Sequence, residues 1–394
     1  LKKIVFLALS VMLVTTACAP DFSKEEEVVQ KTDDNKQKAV ISKYSISDDT
    51  YQSVLPFKES KSRGLTVSNL NTRLDVKEFE SGLTRLSKDE FSTDDYYYQE
   101  GQYLDEDTIS SWLRRKWTEN QYKDVLKDYD KEERDKVKNV GLNPINTGEG
   151  TAAEQSEKSP IYLAHILEQD YLVKDGDELK LGGVSIGLAM NSVYYYTQEK
   201  GYPREKKISR EKLQEEGEKM AAEIVQRMRK IKGLENVPIT VGLFEQEEKS
   251  SLVPGSYFAK ATAKKGSSEL GSWDKVDEGY YLFPSNAVAA DERSDSDMFG
   301  NFKAEIQDYF PNYTNIIGRG FYQNGELQEM TIDIPIQFFG EQEITGFTQY
   351  IAGLVMEHFP SYLKVNVNIS TVQGPEALIS REPDEKKPFV HIYK

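Results

Sequence analysis

The chain has 394 residues, 29% of them charged and 38% hydrophobic, with a formal net charge of −16. That length suffices for two domains of ~100–200 residues each, and the acidity excludes a surface that attracts nucleic acid or lies flat on anionic lipid. The single cysteine excludes an intramolecular disulfide, and three histidines beside it leave little for a zinc site.

The first seventeen residues read as a secretory leader. Lys2 and Lys3 form a short positive region, Ile4 to Val14 is apolar except for Ser10, and Thr15, Thr16 and Ala17 are small. The apolar run falls short of the ~20 residues a membrane-spanning helix needs. Two cleavages compete after it. Thr15-Thr16-Ala17 suits a general signal peptidase. Cys18 at the following position suits lipoprotein signal peptidase, which requires a thiol carrying diacylglycerol. The chemistry favours cleavage between Ala17 and Cys18 with lipid on Cys18, although Thr15 stands where such signals usually place leucine. Two or more acyl chains at ~0.8 kcal/mol per buried CH₂ make a stable anchor. Loss of Lys2 and Lys3 with the leader leaves the mature chain at −18.

Residues 18–50, rich in Lys, Glu, Asp, Ser and Gln, predict a disordered tether, with Glu25-Glu26-Glu27 as solvated linker. Folded structure is expected from Val54-Leu55-Pro56-Phe57, first as an α+β region over 51–205. There Asp105 caps a helix through Ile109, Trp112, Leu113 and Trp117. Ile161, Leu163, Ile166 and Leu167 suggest another helix. Leu179 to Met190 reads as one or two strands, continued by Val193 to Tyr196.

A second α+β domain is expected over 206–394. Ser209 caps a helix with Leu213, Met220, Ile224, Met228 and Ile231 at helical spacing. Gly233 ends it, and Pro238 opens a strand through Ile239, Val241 and Leu243. Asn324-Gly325 predicts a hairpin between strands at 316–322 and 330–338. A helix over 345–359, stopped by Pro360, precedes a strand over 363–372, and Phe389 to Tyr393 suggests a closing strand. The fold class is therefore α+β, two α/β-type regions with mostly antiparallel or mixed sheets. Helix-then-strand units at 209–244 and 345–372 leave open either an internal duplication or ordinary α/β chain building.

Chemical motifs are few. Gly183-Val-Ser185-Ile-Gly187 matches Gly-x-Ser-x-Gly, but no helix follows the serine as a hydrolase nucleophile requires. Glycines that let a strand pack closely explain it better, so no catalytic residue is assigned. Asp291, Asp295 and Asp297 fail the calcium-loop pattern, since Phe299 and Ile306 occupy ligand positions, and read as an acidic loop. No metal or cofactor is expected. Asn312-Tyr-Thr314 and Asn368-Ile-Ser370 are chance sequons. Tyr96-Tyr97-Tyr98 and Tyr194-Tyr195-Tyr196 carry apolar rings with hydrogen-bonding tips. This makes Tyr96, Tyr98, Tyr194 and Tyr196 candidates to face a ligand, with core packing as the competing role. His165, on the expected helix, reads as a satisfied, partly buried histidine.

The leader with Cys18, Leu55-Pro-Phe-Lys-Glu-Ser60, Arg63-Gly-Leu65 and Tyr98-Gln-Glu-Gly-Gln-Tyr-Leu104 resemble the CamS family of sex-pheromone precursor lipoproteins. So do Gly141-Leu-Asn-Pro144, Ile166-Leu-Glu-Gln-Asp170, the run Ile186 to Tyr196 and the ending Val390-His-Ile-Tyr393. The order and spacing match from leader to C-terminus. The resemblance implies a lipid-anchored protein on the outer face of a Gram-positive cell membrane. It also implies a cleaved leader trimmed by a protease to a short hydrophobic signalling peptide, here about Val11–Ala17. It assigns no activity and no catalytic residue to the mature body. Two other readings of that body are a solute- or peptide-binding receptor with a cleft between its two regions, and a serine hydrolase using Ser185.

Overall fold

The computed structural model describes residues 26–32, 35–42, 44–309, 315–337 and 340–393. The leader, Ala17, Cys18, the stretch Val11–Ala17 and the sequon at 312–314 lie outside these residues.

The chain enters through a hairpin of β1 (Glu26–Thr32) and β2 (Asn35–Ile41), followed by the short β3 (Val54–Leu55). The expected structureless tether to residue 50 is thus corrected over 26–32 and 35–41. Val28, Ala39 and Ile41 fall on one face of the hairpin and cover Leu172 and Leu179, a small apolar set that composition alone underrates. Then come α1 (Leu65–Asn69), α2 (Arg73–Ser87), β4 (Tyr96–Glu100), α3 (Glu106–Leu113), α4 (Glu119–Val125) and α5 (Ala152–Lys158). Asp105 caps α3, its carboxylate accepting from the Thr108 N–H at 2.9 Å, but the helix stops before Trp117.

The long hairpin of β5 (Leu163–Asp175) and β6 (Glu178–Asn191) is the spine of the first sheet. Here the expected helix at 161–167 is corrected to strand. β5 is buried on both faces, Ile166 toward one helical layer and Leu167 toward another. Its apolar residues therefore lose the alternation that marks a half-exposed strand. β7 (Val193–Thr197) and β8 (Pro203–Lys207) form a separate two-stranded ribbon. The Ser209 hydroxyl then caps α6 (Arg210–Met228), whose Leu213, Met220, Ile224 and Val225 pack on Val184, Ile186 and Val241. Gly217 sits where a Cβ would come within 2.9 Å of Leu243, so the small residue sets the helix–sheet distance. From α6 the chain returns to lay β9 (Ile239–Gln246) parallel to β6, then β10 (Ser256–Ala263) and β11 (Asp274–Lys275) antiparallel.

This placement corrects the expected domain boundary at 205/206. α6 and β9 to β11 belong to the first sheet, and the division falls at residues 276–277. The second sheet begins with β12 (Glu278–Phe283). It continues through α7 (Asn286–Asp291), α8 (Arg293–Tyr309), β13 (Ile317–Gln323), β14 (Glu326–Pro335), α9 (Glu341–His358), β15 (Lys364–Thr371), β16 (Gly374–Arg381) and β17 (Phe389–Ile392). Asn324 and Gly325, both at positive φ (55° and 78°), make the expected tight turn between β13 and β14. The acidic loop expected at 291–297 is instead helical. Ser285 caps α7, while Asp291 and Asp295 accept hydrogen bonds from the Tyr281 and Tyr322 hydroxyls at 3.0 and 2.8 Å. Phe299, Phe302, Phe347 and Ile351 of the two longer helices bury Ile332, Val365 and Val367 on one face of the sheet. Each such side chain contributes about 1.5–3 kcal/mol.

The two sheets repeat one topology. In the first, β4, β5, β6, β9, β10 and β11 are successive pairing partners; in the second, β12 to β17 are. In both, the steps run antiparallel, antiparallel, parallel, antiparallel, antiparallel. The parallel step is bridged by α6 in one sheet and α9 in the other. The units at 209–244 and 345–372 are thus equivalent crossovers of a duplicated fold. Each is closed by an arginine. Arg381, buried on β16, donates to the carbonyls of Val355, Phe359, Pro360 and Leu363 at the end of α9. Arg229 donates to those of Leu234, Val237, Lys264 and Ser267 beyond α6.

Candidate functional site

The two sheets meet along α2. The Thr72 hydroxyl caps this helix, accepting from the Asp75 N–H at 2.9 Å. Its apolar face, Phe79, Leu83 and Leu86, packs on Phe244 and Tyr257 of the first sheet. Its other face, spaced by three and four residues, presents Leu74, Lys77, Glu78, Ser81 and Arg85 to a groove. The groove has two chambers that share Ser81 and Arg85. One, about 380 Å³, is closed by Tyr280, Arg319, Phe321, Glu329 and Thr331 of the second sheet. The other, about 410 Å³, is closed by Tyr51, Ser53, Lys88 and Tyr98.

Arg85 is the centre of the groove's electrostatics. Its Nη2 lies 2.6 Å from Glu78 and 2.7 Å from Glu278, its Nε donates to Glu278 at 2.9 Å, and the guanidinium lies 4.4 Å from the Phe321 ring centroid. Burial acts against the charge, but the hydrogen bonds and charges of Glu278 and Glu78 outweigh it and hold the guanidinium firmly protonated. The Tyr280 hydroxyl donates to Glu78 at 2.6 Å, and burial followed by that carboxylate's charge pushes its ionisation up. Glu78, Arg85, Tyr280 and Glu278 therefore satisfy one another. Among the described residues of this cluster, none stands as a base beside an activated nucleophile. Among the described residues, no three His, Cys, Asp or Glu side chains are placed to hold a metal ion.

The structure separates the four candidate tyrosines. Tyr98 lines the groove, with its ring edge-on to Tyr171 at 6.2 Å. Tyr96 packs edge-on to Phe91 at 5.2 Å and does not line it. Tyr194 and Tyr196 stack on each other at 5.8 Å on the β7–β8 ribbon, away from α2. Arg115 donates to the Tyr194 hydroxyl at 3.4 Å, and the Tyr196 hydroxyl donates to Glu157 at 2.7 Å.

Ser185 is fully buried within β6, where its hydroxyl accepts from Ser87 at 2.6 Å. No strand-to-helix elbow exposes it, so the Gly-x-Ser-x-Gly match is no nucleophile. Its glycines are steric: a Cβ at Gly183 would lie 2.1 Å from Phe91, and one at Gly187 would lie 2.6 Å from the Tyr257 hydroxyl. His165 lies on β5 rather than a helix and is fully buried. Its Nδ1 accepts from Asn69 at 3.2 Å, which leaves Nε2–H to donate to Thr66 at 3.0 Å, and burial lowers its pKa to about 4.

Sequence reading missed the Arg85 cluster and a second buried group, Glu168 and Asp170. Glu168 accepts from the Leu104 N–H at 2.7 Å and the Tyr103 N–H at 3.1 Å, and Asp170 accepts from the Gln102 N–H at 3.0 Å. Burial, then the charge of Glu168, raises Asp170 well above the usual carboxylate range, and burial raises Glu168. The signal was the polar triplet Glu168-Gln169-Asp170 inside an apolar strand.

A family model described as CamS sex pheromone cAM373 precursor matches residues 57–387. Among the solved structures to which the chain is similar are two sex pheromone precursors. The C-terminal domain of the sex pheromone staph-cAM373 precursor from Staphylococcus aureus shares 34% identity at a TM-score of 0.72, with 83% of this chain and 98% of that one covered. A sex pheromone precursor from Lactobacillus salivarius subsp. salivarius UCC118 shares 34% identity at a TM-score of 0.78, with 90% and 99% covered. No match was found among curated proteins.

Proposed function

Because the chain belongs to the CamS sex pheromone cAM373 precursor family, we propose that it is a lipid-anchored surface precursor whose leader is cut between Ala17 and Cys18. The leader is then trimmed to a signalling peptide of about Val11–Ala17. The observation that carries this reading is the position of Cys18, the sole cysteine, directly after a charged start, an apolar run and three small residues. Lipoprotein signal peptidase makes the cut, a peptide-trimming protease shortens the leader, and diacylglycerol on Cys18 holds the body at the outer face of the membrane. The acidic body stands off anionic headgroups on the segment that follows the lipid. Mass spectrometry of culture medium is expected to find a fragment ending at Ala17, and its absence in every growth phase overturns the signalling role. Cys18→Ser is expected to release the body into the medium; retention on the membrane overturns the anchor.

The mature body acts without catalysis in this reading, a view supported by the buried Ser185 and by the mutual pairing of the charged groups along α2. A second reading, a solute- or peptide-binding receptor, draws support from the groove between α2 and the second sheet. Thermal-shift screening with short peptides and sugars tests it. A stabilising compound whose effect is lost in Tyr98→Ala supports it, and no shift with any compound overturns it.

A further inference from the structure

Away from α2, a second concavity of about 740 Å³ lies between α3, the segment 129–140 and the C-terminal end of α6. Five cations line it: Arg114, Lys136, Lys138, Arg227 and Lys230. Only two carboxylates, Asp107 and Glu223, do so. This is an inversion of sign in a chain whose net charge is −16. Glu223 is already paired with Arg227 at 2.6 Å. Among the described residues, Arg114, Lys136, Lys138 and Lys230 make no ion pair.

The concentration of charge is a product of the fold. The segment around Lys136 is rich in acids, yet Asp130, Glu132, Glu133 and Asp135 do not line the cavity. Lys136 and Lys138 flank Val137, whose extended backbone (φ −82°, ψ 112°) sends alternate side chains to one side. Arg114 follows α3, and Arg227 and Lys230 lie at the end of α6, where cations offset helix C-termini. Those two termini are worth only about half a negative charge each and leave a clear positive excess. Trp112, buried beneath the Arg227 guanidinium at 5.1 Å, makes part of the wall, and Tyr129, 39% exposed, stands at the rim.

We infer that this cavity binds a compact organic anion carrying two or more phosphate or carboxylate groups, with the Tyr129 ring against its apolar part. The volume falls in the ~300–1,000 Å³ range of small-molecule sites. Unpaired cations supply the attraction that a filled ion-pair network would not. Compactness follows from the surroundings. At physiological salt, charge is felt over ~8 Å, so a long polyanion extending beyond the cavity meets the acidic surface and is repelled. This inference is independent of the leader's fate.

Isothermal titration of the purified full chain with pyrophosphate, fructose 1,6-bisphosphate and citrate tests it, at about 20 mM and about 200 mM salt. Saturable binding of at least one probe is expected, weakening with salt. The phosphate and carboxylate probes distinguish the two anion chemistries. The double variant Lys136→Glu/Lys138→Glu, both exposed positions, is expected to weaken binding by about tenfold or more. Lys265→Glu, an exposed reversal outside the cavity, is expected to change it less than about twofold. Circular dichroism checks that both variants fold. No saturable binding of any probe at low salt overturns the inference, as does equal weakening by the cavity and control variants.

Discussion

Arg85 on α2 grips Glu278, the first residue of β12, through two parallel hydrogen bonds, Nε to Oε1 at 2.9 Å and Nη2 to Oε2 at 2.7 Å. One residue belongs to the helical layer of the first sheet, the other to the edge of the second. This fork, with Glu78 on the same guanidinium, pins the two halves of the duplicated fold at the groove.

Removing Arg85 leaves the buried carboxylates of Glu78 and Glu278 without their cation, and neutralising Glu278 removes one of the two carboxylates on the guanidinium. Arg85→Ala is expected to lower stability by about 3 kcal/mol and Glu278→Gln by about 2 kcal/mol. Their combination should cost less than the sum, by about 1 kcal/mol or more in a double-mutant cycle. Urea denaturation measures all three, and strict additivity would show that the fork carries no coupling.

Asp170 and Glu168 bind protons more tightly folded than unfolded. Their contribution is fully present below the ordinary carboxylate values of 3.8 and 4.5, and is lost as pH rises through the raised folded values. Asp170→Asn supplies the donor that a protonated carboxyl would offer Glu168, while its carbonyl can still accept from the Gln102 N–H. The variant is expected to gain stability relative to the parent as pH rises from 5 to 8, read from urea midpoints. A difference that is flat across this range refutes the assignment.

His165 has the opposite sign. Below 6.5 the unfolded chain takes up a proton that the buried ring refuses until about pH 4. Stability from this group is therefore complete above 6.5 and is lost as pH falls through 4, by about 3 kcal/mol in all. His165→Gln is expected to flatten acid destabilisation between pH 6 and 4 in thermal melts. An unchanged slope would place that sensitivity elsewhere.

Around Ser185 the glycines matter more than the serine. Ser185→Ala removes one neighbour of the Ser87 hydroxyl, whose single proton keeps the Leu83 carbonyl at 2.6 Å as an acceptor, and is expected to cost about 1 kcal/mol. Gly183→Ala drives a methyl into Phe91 and is expected to cost about 3 kcal/mol. Calorimetry that reverses this order would contradict the packing account.

Several elements were legible because their signal is local. α6 follows from a Ser209 cap and apolar residues at helical spacing, and the β13–β14 turn from Asn324-Gly325. β5 was misread because burial on both faces erases its alternation. The β1–β2 hairpin was missed because Val28, Ala39 and Ile41 are few, and their value lies in what they cover. The boundary near residue 277 was missed because β9 pairs with β6 across a whole helix and ribbon. Of the groove, only Tyr98 was singled out from sequence. Tyr96, Tyr194 and Tyr196 bear the same side chain, but Phe91, Arg115 and Glu157 occupy them.

By itself, the sequence determined the family resemblance, the crossover helices and the α+β class, and set the expectation of a leader ending before Cys18. Each depends on charge, apolar spacing and turn chemistry within a few neighbouring residues. Only the tertiary structure decided that Ser185 is sealed, 98 positions from the Ser87 that satisfies it, and that Arg85 meets Glu278 across 193. It alone gathered the cations of three separated segments around one cavity. Such contacts arise from strand pairing and helix packing between distant parts of the chain, and local periodicity carries no record of which distant partner a side chain will meet.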